Sequence, residues 1–495
     1  MKKYKLSIIL LLLFTPFLTM GQESLSYKLV RGAEDSVTSK RHYIVGSAER
    51  GSTIYIDGKK IKQYATGSFG TQLELKEGHN SVVISVTNRG TRVNDTLSIF
   101  YKPPTLTSKE KSASSDRGSS LLPVIITDSG AFFNSSTAGD RLGGNKINFI
   151  SEGVKMELLE IEGEFYKVKL SQNRAAYLQK RFAQQLPLGA TPAQSVVNSC
   201  SAIANRGEDR VKIFLNERVP YIIHTQNLPN RIIVELHNAY NNSNWVTQYN
   251  NLKAISSLDI YQSATDVVTL QLDLKESYSW GYRVEYEGNN LIVSVKHTPK
   301  ALYSRSKRPL EGITIGLDAG HGGSATGAIS PSGMLEKELN LDMVNRLKRI
   351  LEKRGAKVVL SRSDDTDLSI AQRVEIFREG NIDLLLSIHN NSGGNPLNPM
   401  GSSTYYKHIE YRPFASAVLN KLLELGVVQY GMVGNFNFGL CSPTDFPSIL
   451  VETLFMSSLP DEEKLFDPTF RAKLMEKVAQ GVEEYIGKVR SSLVE

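Results

Sequence analysis

The apolar pattern of the chain changes period once, at the basic, proline-containing stretch 298–309, and that change separates two kinds of fold. Ahead of it, apolar residues alternate one by one between turn signals, the pattern of half-buried strands; beyond it, short apolar runs alternate with segments of helical period. Two such patterns in succession suggest separate domains. A length of 495 residues points the same way, to about three or four domains. Thirty-eight glycines and 18 prolines are near ordinary usage, so collagen-like and wholly disordered readings fail. The 2 cysteines, Cys200 and Cys441, are far apart and exclude both a disulfide scaffold and a thiolate zinc finger. Metal chemistry in this chain must therefore use His and carboxylates.

The first residues set the expected compartment. Lys2, Lys3 and Lys5 precede the apolar run Leu6–Leu18, and Gly21 follows as a small residue, so 1–21 reads as a signal peptide and the mature protein as exported, periplasmic or wall-associated. No later stretch reaches the roughly 20 apolar residues of a membrane helix. Three of the +7 formal charges lie in that segment, leaving 7 − 3 = +4 on the rest. So small a surplus gives no case for nucleic acid and only a mild preference for anionic polymers.

Three β-rich segments follow. In 22–101, runs such as Thr53-Ile54-Tyr55-Ile56 and Val82-Val83-Ile84 between Asp57-Gly58 and Gly78-His79-Asn80 turns predict a β-sandwich. It resembles bacterial immunoglobulin-like modules and reads as a spacer. A polar linker, 102–120, cannot bury a core. In 121–184, "EGVKMELLEIEGEFYKVKL" followed by Ala176-Tyr177-Leu178 predicts a small barrel that resembles a bacterial SH3 domain, which implies binding of peptidoglycan peptides. In 205–298, "LPNRIIVELHNA" resembles AMIN domains, which accompany cell-wall amidases and localise them on the envelope. Division or envelope proteins are candidate partners of these β domains, and ligand-free structural modules are the alternative.

From 311 to 495 the order strand, helix, strand, helix predicts an α/β domain with a mostly parallel sheet flanked by helices. The expected elements are strands Ile313–Leu317, Lys357–Leu360, Ile382–Ile388 and Ile449–Thr453, with helices about 336–354, 369–379, 413–425 and 468–488. Such sheets place ligands at the carboxyl ends of their strands. Asp318-Ala319-Gly320-His321-Gly322-Gly323 stands at one such end and lacks the Gly-Lys-Ser/Thr of a phosphate-binding loop. His389 ends another, in Leu384-Leu385-Leu386-Ser387-Ile388-His389-Asn390-Asn391. Two imidazoles above one sheet suggest a metal site. Glu336, at a helix start, is the candidate third ligand, with stabilisation of that helix end as its competing role. Glu452, in Pro447-Ser448-Ile449-Leu450-Val451-Glu452-Thr453, is a charge inside an apolar strand and so must be paired, protonated or functional.

Together "LDAGHGG", "GMLEKELNLDM", "SIHNN", "GSSTYY" and "PSILVET" resemble the zinc-dependent N-acetylmuramoyl-L-alanine amidases over about residues 312–490. The resemblance implies Zn2+ held by His321, Glu336 and His389, with Glu452 as the catalytic carboxylate. It also implies hydrolysis of the amide between the lactyl group of N-acetylmuramic acid and L-alanine of the peptidoglycan stem peptide. Two departures stand out: Ala319 where the family commonly has Pro, and Leu454 where it has Gly after Glu-Thr. Neither removes a ligand. Asp318 or Asn390 is expected to orient a His ring, and Arg373 to make a surface ion pair, with binding of a substrate carboxylate as its alternative. Some cell-division amidases of the family it resembles carry an occluding helix between His389 and Ser403–Lys407, where this chain has a short Gly/Pro/Asn-rich loop, so the resemblance implies a site open without an activator. A zinc peptidase acting on stem peptides and an inactive wall-binding protein are the competing functions.

Overall fold

The computed structural model describes residues 25, 27–104, 122–138, 143, 145–303, 306 and 308–493. The expected signal segment and all but the first three residues of the expected 102–120 linker lie outside the described residues. The chain is a strand-rich N-terminal region followed by a C-terminal domain of sheet and helices, as the change of period at 298–309 predicts.

In the N-terminal region, 27–101 forms a three-stranded and a five-stranded sheet that enclose Ile44, Ile54, Phe69, Ile84 and Val86. Residues 124–185 form one seven-stranded sheet, and 195–296 form sheets of six and four strands. The interiors of these last two segments join into one apolar cluster from Val124 to Val295. Among the described residues, no helix is long and apolar enough to cross a membrane.

The C-terminal sheet is built from β1 (Thr314–Ala319), β2 (Lys357–Leu360), β3 (Leu384–Asn391), β4 (Ser402–Tyr405), β5 (Gln429–Val433) and β6 (Ser448–Phe455). Their order is β2-β1-β3-β6-β4-β5; β1 pairs in parallel with β2 and β3, β3 with β6, and β4 with β5, while β4 runs antiparallel to β6. Helices α1 (Glu336–Lys353), α2 (Ile370–Glu379), α3 (Arg412–Leu423), α4 (Leu459–Phe466) and α5 (Pro468–Ser492) cover it. Strand β5 and helix α4, of five and eight residues, have no counterpart in the sequence reading.

Helix α1 forms because Leu339, Met343, Val344, Leu347 and Leu351 fall on one face at helical spacing, and all five are buried against the sheet. Each such side chain contributes about 1.5–3 kcal/mol on burial. Helix α2 begins with a reciprocal cap, in which Ser369 accepts from the Gln372 amide and the Gln372 side chain accepts from the Ser369 amide. Strand β3 runs past its apolar stretch: His389 and Asn391 still pair with Glu452 and Phe455, so the polar end of the segment stays in the sheet.

The 27–101 segment packs against the catalytic domain. Thr66 Oγ1 donates to Glu462 Oε2 at 3.2 Å, the Ala65 amide donates to Glu463 at 2.8 Å, and the Arg50 guanidinium lies 4.5 Å from the Phe466 ring, all on α4. Gly70 permits this approach, since a Cβ there would lie 3.0 Å from Leu459 and 3.1 Å from Leu397.

Candidate metal centre

Strand β1 delivers the chain to Gly320 and His321, and β3, beside it, delivers His389. Helix α1 starts over the same sheet end and brings Glu336 between the two imidazoles. His321 Nε2 lies 3.2 Å from Glu336 Oε2, and His389 Nδ1 lies 3.0 Å from Glu336 Oε1. The two ring centroids are 4.9 Å apart. One donor atom from each of the three residues falls within 4.8 Å of the others.

The backbone around these side chains is shaped to them. A Cβ on Gly320 would sit 2.2 Å from the His389 ring, and one on Gly327 would sit 2.5 Å from Glu336 Oε2 and 2.7 Å from the His321 ring. Only glycine fits at either position. His321 itself adopts φ 63°, a left-handed conformation that costs a non-glycine residue about 1–3 kcal/mol and persists where the surroundings enforce it. Here Arg373 Nη2 donates to the His321 carbonyl at 2.7 Å, and Arg362 and Asn340 donate to the Gly320 carbonyl at 3.0 and 3.1 Å.

Glu336 is buried and heavily solicited. Besides the two imidazoles it accepts from the amides of Ala328 at 2.8 Å and Asn390 at 3.1 Å, and from Asn340 Nδ2 at 3.3 Å. Burial alone would raise its pKa, but the hydrogen bonds and charges of His321 and His389 override it and hold the carboxyl well below the usual range. For His389, burial favours the neutral ring, while Glu336, then the Glu452 charge, push its pKa up. A carboxylate fixed in its charged form between two imidazole nitrogens leaves room for either protons or a cation. Two imidazole nitrogens and one carboxylate oxygen are a donor set that suits zinc, so the residues present fit the ion.

Glu452 lies outside the three-donor cluster, level with His389 on the neighbouring strand. Its Oε2 is shut off from solvent and has no hydrogen-bond partner among the described residues. Burial pushes its pKa up to about 7, against the His389 charge.

Two expectations need correction. Arg373 is neither a surface ion pair nor free to meet substrate: it is 4% exposed, with Nη1 donating to Asp318 Oδ1 at 2.6 Å and to the Ala319 carbonyl at 2.9 Å. Its apolar neighbours on α2 turn it inward under the β1 turn. Asp318 and Asn390 do not hold a His ring either. Asp318 spends its oxygens on Arg373 and Ser387, and the Asn390 side chain spans Asn340 and Thr453. Sequence reasoning missed Asn340, which links Glu336, Gly320 and Asn390. Its signal was a polar residue four positions after Glu336 on the buried face of α1.

Beyond His389 the site has an aromatic wall. Phe438 meets the His389 ring edge-on at 5.8 Å, Phe436 stacks on Phe438 at 5.5 Å, and Tyr405 lies 4.6 Å from Phe436. Residues 392–401, between β3 and β4, form no helix.

A family model for N-acetylmuramoyl-L-alanine amidase (Amidase_3) matches residues 315–484, and one for the AMIN domain matches 202–295. The N-acetylmuramoyl-L-alanine amidase LytC of Bacillus subtilis (strain 168) is 36% identical over 203 residues, 40% of this chain and 39% of LytC. The uncharacterized protein YqiI of the same organism is 31% identical over 186 residues, 37% of this chain and 89% of YqiI. The solved catalytic domain of CwlV, an N-acetylmuramoyl-L-alanine amidase from Bacillus (Paenibacillus) polymyxa var. colistinus, is 31% identical, covering 35% of this chain and 98% of that one at a TM-score of 0.34. The match thus spans less than half the length of LytC and nearly all of YqiI. Through residues 315–484 the chain belongs to the N-acetylmuramoyl-L-alanine amidase family, and it carries an AMIN domain ahead of them.

Proposed function

We infer that this protein is a zinc-dependent peptidoglycan amidase that cleaves the bond between the lactyl group of N-acetylmuramic acid and L-alanine of the stem peptide. The observation that carries the reading is the convergence of His321, Glu336 and His389 within 4.8 Å, inside the stretch that matches the amidase family. These three residues would hold the ion. When bound, zinc lowers the pKa of water toward ~7 and polarises a carbonyl oxygen.

The remaining work falls to the chain's own groups. Glu452 Oε2 takes the proton of the attacking water and returns it to the departing amine, a role suited to a carboxyl poised near neutrality. An amide needs that second step because an amine anion does not leave. Arg373 and Arg362 hold the Ala319–His321 turn, and Asn340 fixes Glu336 against β3. Phe438 and Phe436 exclude water from one side of the site.

In this reading 1–21 is a signal peptide, the 124–185 sheet is an SH3-like module for stem peptides, and the AMIN domain holds the enzyme on the envelope. The protein then works outside the cytoplasm, in periplasm or wall.

The test is a digest of purified peptidoglycan followed by mass spectrometry. Free stem peptides with peptide-free glycan are expected. Shortened stems still attached to glycan would establish a peptidase instead, and an undigested sacculus with bound protein would leave only wall binding.

A further inference from the structure

Helix α4 carries the 27–101 segment on one side and meets, on the other, the hairpin that leads into Glu336. Residues 326–337 double back on themselves. Ile329 pairs with Leu335, the Glu336 amide donates to the Ala328 carbonyl at 2.9 Å, and the Lys337 amide donates to the Thr326 carbonyl at 3.1 Å. One arm of the hairpin supplies the Ala328 amide to Glu336 Oε2 at 2.8 Å, and the other arm becomes α1. Ser330 closes the tip: its amide donates to the Met334 carbonyl, and its hydroxyl accepts from the Met334 amide, both at 3.0 Å. Where this hairpin stands, Glu336 stands with it.

Glu462 reaches the tip. Its Oε1 accepts from the Ser332 amide at 2.8 Å and its Oε2 accepts from the Thr66 hydroxyl at 3.2 Å, so one carboxylate joins the hairpin to a turn of the N-terminal segment. Glu462 is 0% exposed, where an acceptor that loses its donor is left with the full cost of desolvation. The far end of this brace is fixed. Asp461 Oδ2 accepts from the amides of Met400 at 2.9 Å and Gly401 at 2.8 Å, and the Leu459 amide donates to the Pro396 carbonyl at 2.8 Å. These bonds tie α4 to the loop that leaves β3 after His389. The first turn of α4 therefore grips the chain on both sides of the three-donor cluster. The 27–101 segment touches the same loop, since Arg31 Nη1 donates to the Gly394 carbonyl at 3.5 Å.

We propose that Glu462 is a positioning residue for the zinc ligand Glu336, and that the 27–101 segment acts on the metal centre through it by way of Thr66. The proposal rests on the zinc-amidase reading. A hairpin held at its tip keeps the Ala328 amide on Glu336 Oε2, and with it the direction of the carboxylate between His321 and His389. Without Glu462 the tip loses its anchor at Ser332, and Glu336 keeps its charge but loses a fixed direction. The N-terminal segment is then a working part of the enzyme, and undocking it from α4 loosens the metal centre.

The experiment measures zinc affinity of the full chain by competition with a zinc-binding dye, beside hydrogen–deuterium exchange of the 328–336 amides in metal-free protein. Glu462→Ala should weaken zinc binding about tenfold, the low end for a group that orients a ligand from behind, and should speed exchange across the hairpin. Thr66→Val, in the other domain, should weaken binding about threefold, the worth of one neutral hydrogen bond. The double variant should lose no more than Glu462→Ala alone, because both changes act through one carboxylate. Glu462→Gln, whose side-chain oxygen still accepts from Ser332, should restore the parent affinity, which a general loss of stability would not do. Parent affinity in Glu462→Ala overturns the proposal, as do parent affinity in Thr66→Val and additive losses in the double variant. A parent chain that binds no zinc refutes the zinc reading alone; exchange then decides the positioning role, and unchanged hairpin protection in Glu462→Ala overturns it.

Discussion

Glu452 stands level with His389 across the parallel β3–β6 pair, and the environment raises the pKa of both. Burial pushes the Glu452 carboxyl up to about 7, and the carboxylates of Glu336 and Glu452 push the His389 ring up against the effect of its own burial. Only Glu452 has an oxygen without a partner, which makes it the member free to act on a reactant.

Glu452→Gln should therefore lower the rate of muropeptide release by about 10²–10⁴-fold, the usual contribution of a positioned acid or base. Bound zinc should stay at the parent level, because Glu452 is outside the three-donor cluster. Metal content measured beside rate separates the two effects. Near-normal turnover in this variant would remove Glu452 from the reaction, and loss of metal would make it a ligand.

Gly320→Ala tests whether the turn is fitted to the imidazole. The added methyl would sit 2.2 Å from the His389 ring, so the ring must swing away from Glu336. We expect zinc affinity to fall at least about tenfold while the far-ultraviolet circular dichroism remains that of the parent. A variant that binds zinc as the parent does would show that β3 can shift to absorb the methyl.

The alternation of strand and helix was readable in the sequence because each long element carries a clean period. The inner face of α1 and the apolar stretch of β3 are examples. His321 and His389 were readable because polar residues end apolar strands abruptly, and Glu452 because a charge interrupts one. The partners of Arg373 were not readable. Nothing local distinguishes an arginine on the outer face of a short helix from one turned under a neighbouring turn; the difference is made by Asp318, 55 positions away.

Arg373→Met should destabilise the catalytic domain by about 3–5 kcal/mol, because it leaves Asp318 charged and buried. Asp318 is held in its charged form, against its burial, first by this guanidinium. Arg373→Lys should recover only part of the loss, since an ammonium cannot reach Asp318 and the carbonyls of Leu368, Ala319 and His321 together. Urea unfolding of the three proteins at neutral pH reads the order. Equal midpoints would mean that the ion pair is dispensable.

Stability should also fall on mild acidification, through two histidines remote from the metal centre. Burial is the leading cause that brings His237 and His408 from 6.5 down to about 4. Around His237 stand Arg174 and His224, which add to the shift, and Glu235 and Asp266, which oppose it; around His408, Lys407 adds to it and the Ser442 carbonyl opposes it. In the unfolded chain both rings take up a proton as pH drops through 6.5, while the folded protein keeps them neutral until about 4. Their contribution is thus complete above 6.5 and is progressively lost below it, on the order of 2 kcal/mol for each ring by about pH 5. The check is the change in unfolding free energy between pH 7 and about pH 5 in the parent and in His237→Gln and His408→Gln. Each substitution should shrink that change by roughly the share of one ring. A change as large in both variants as in the parent would assign the acid sensitivity to other groups.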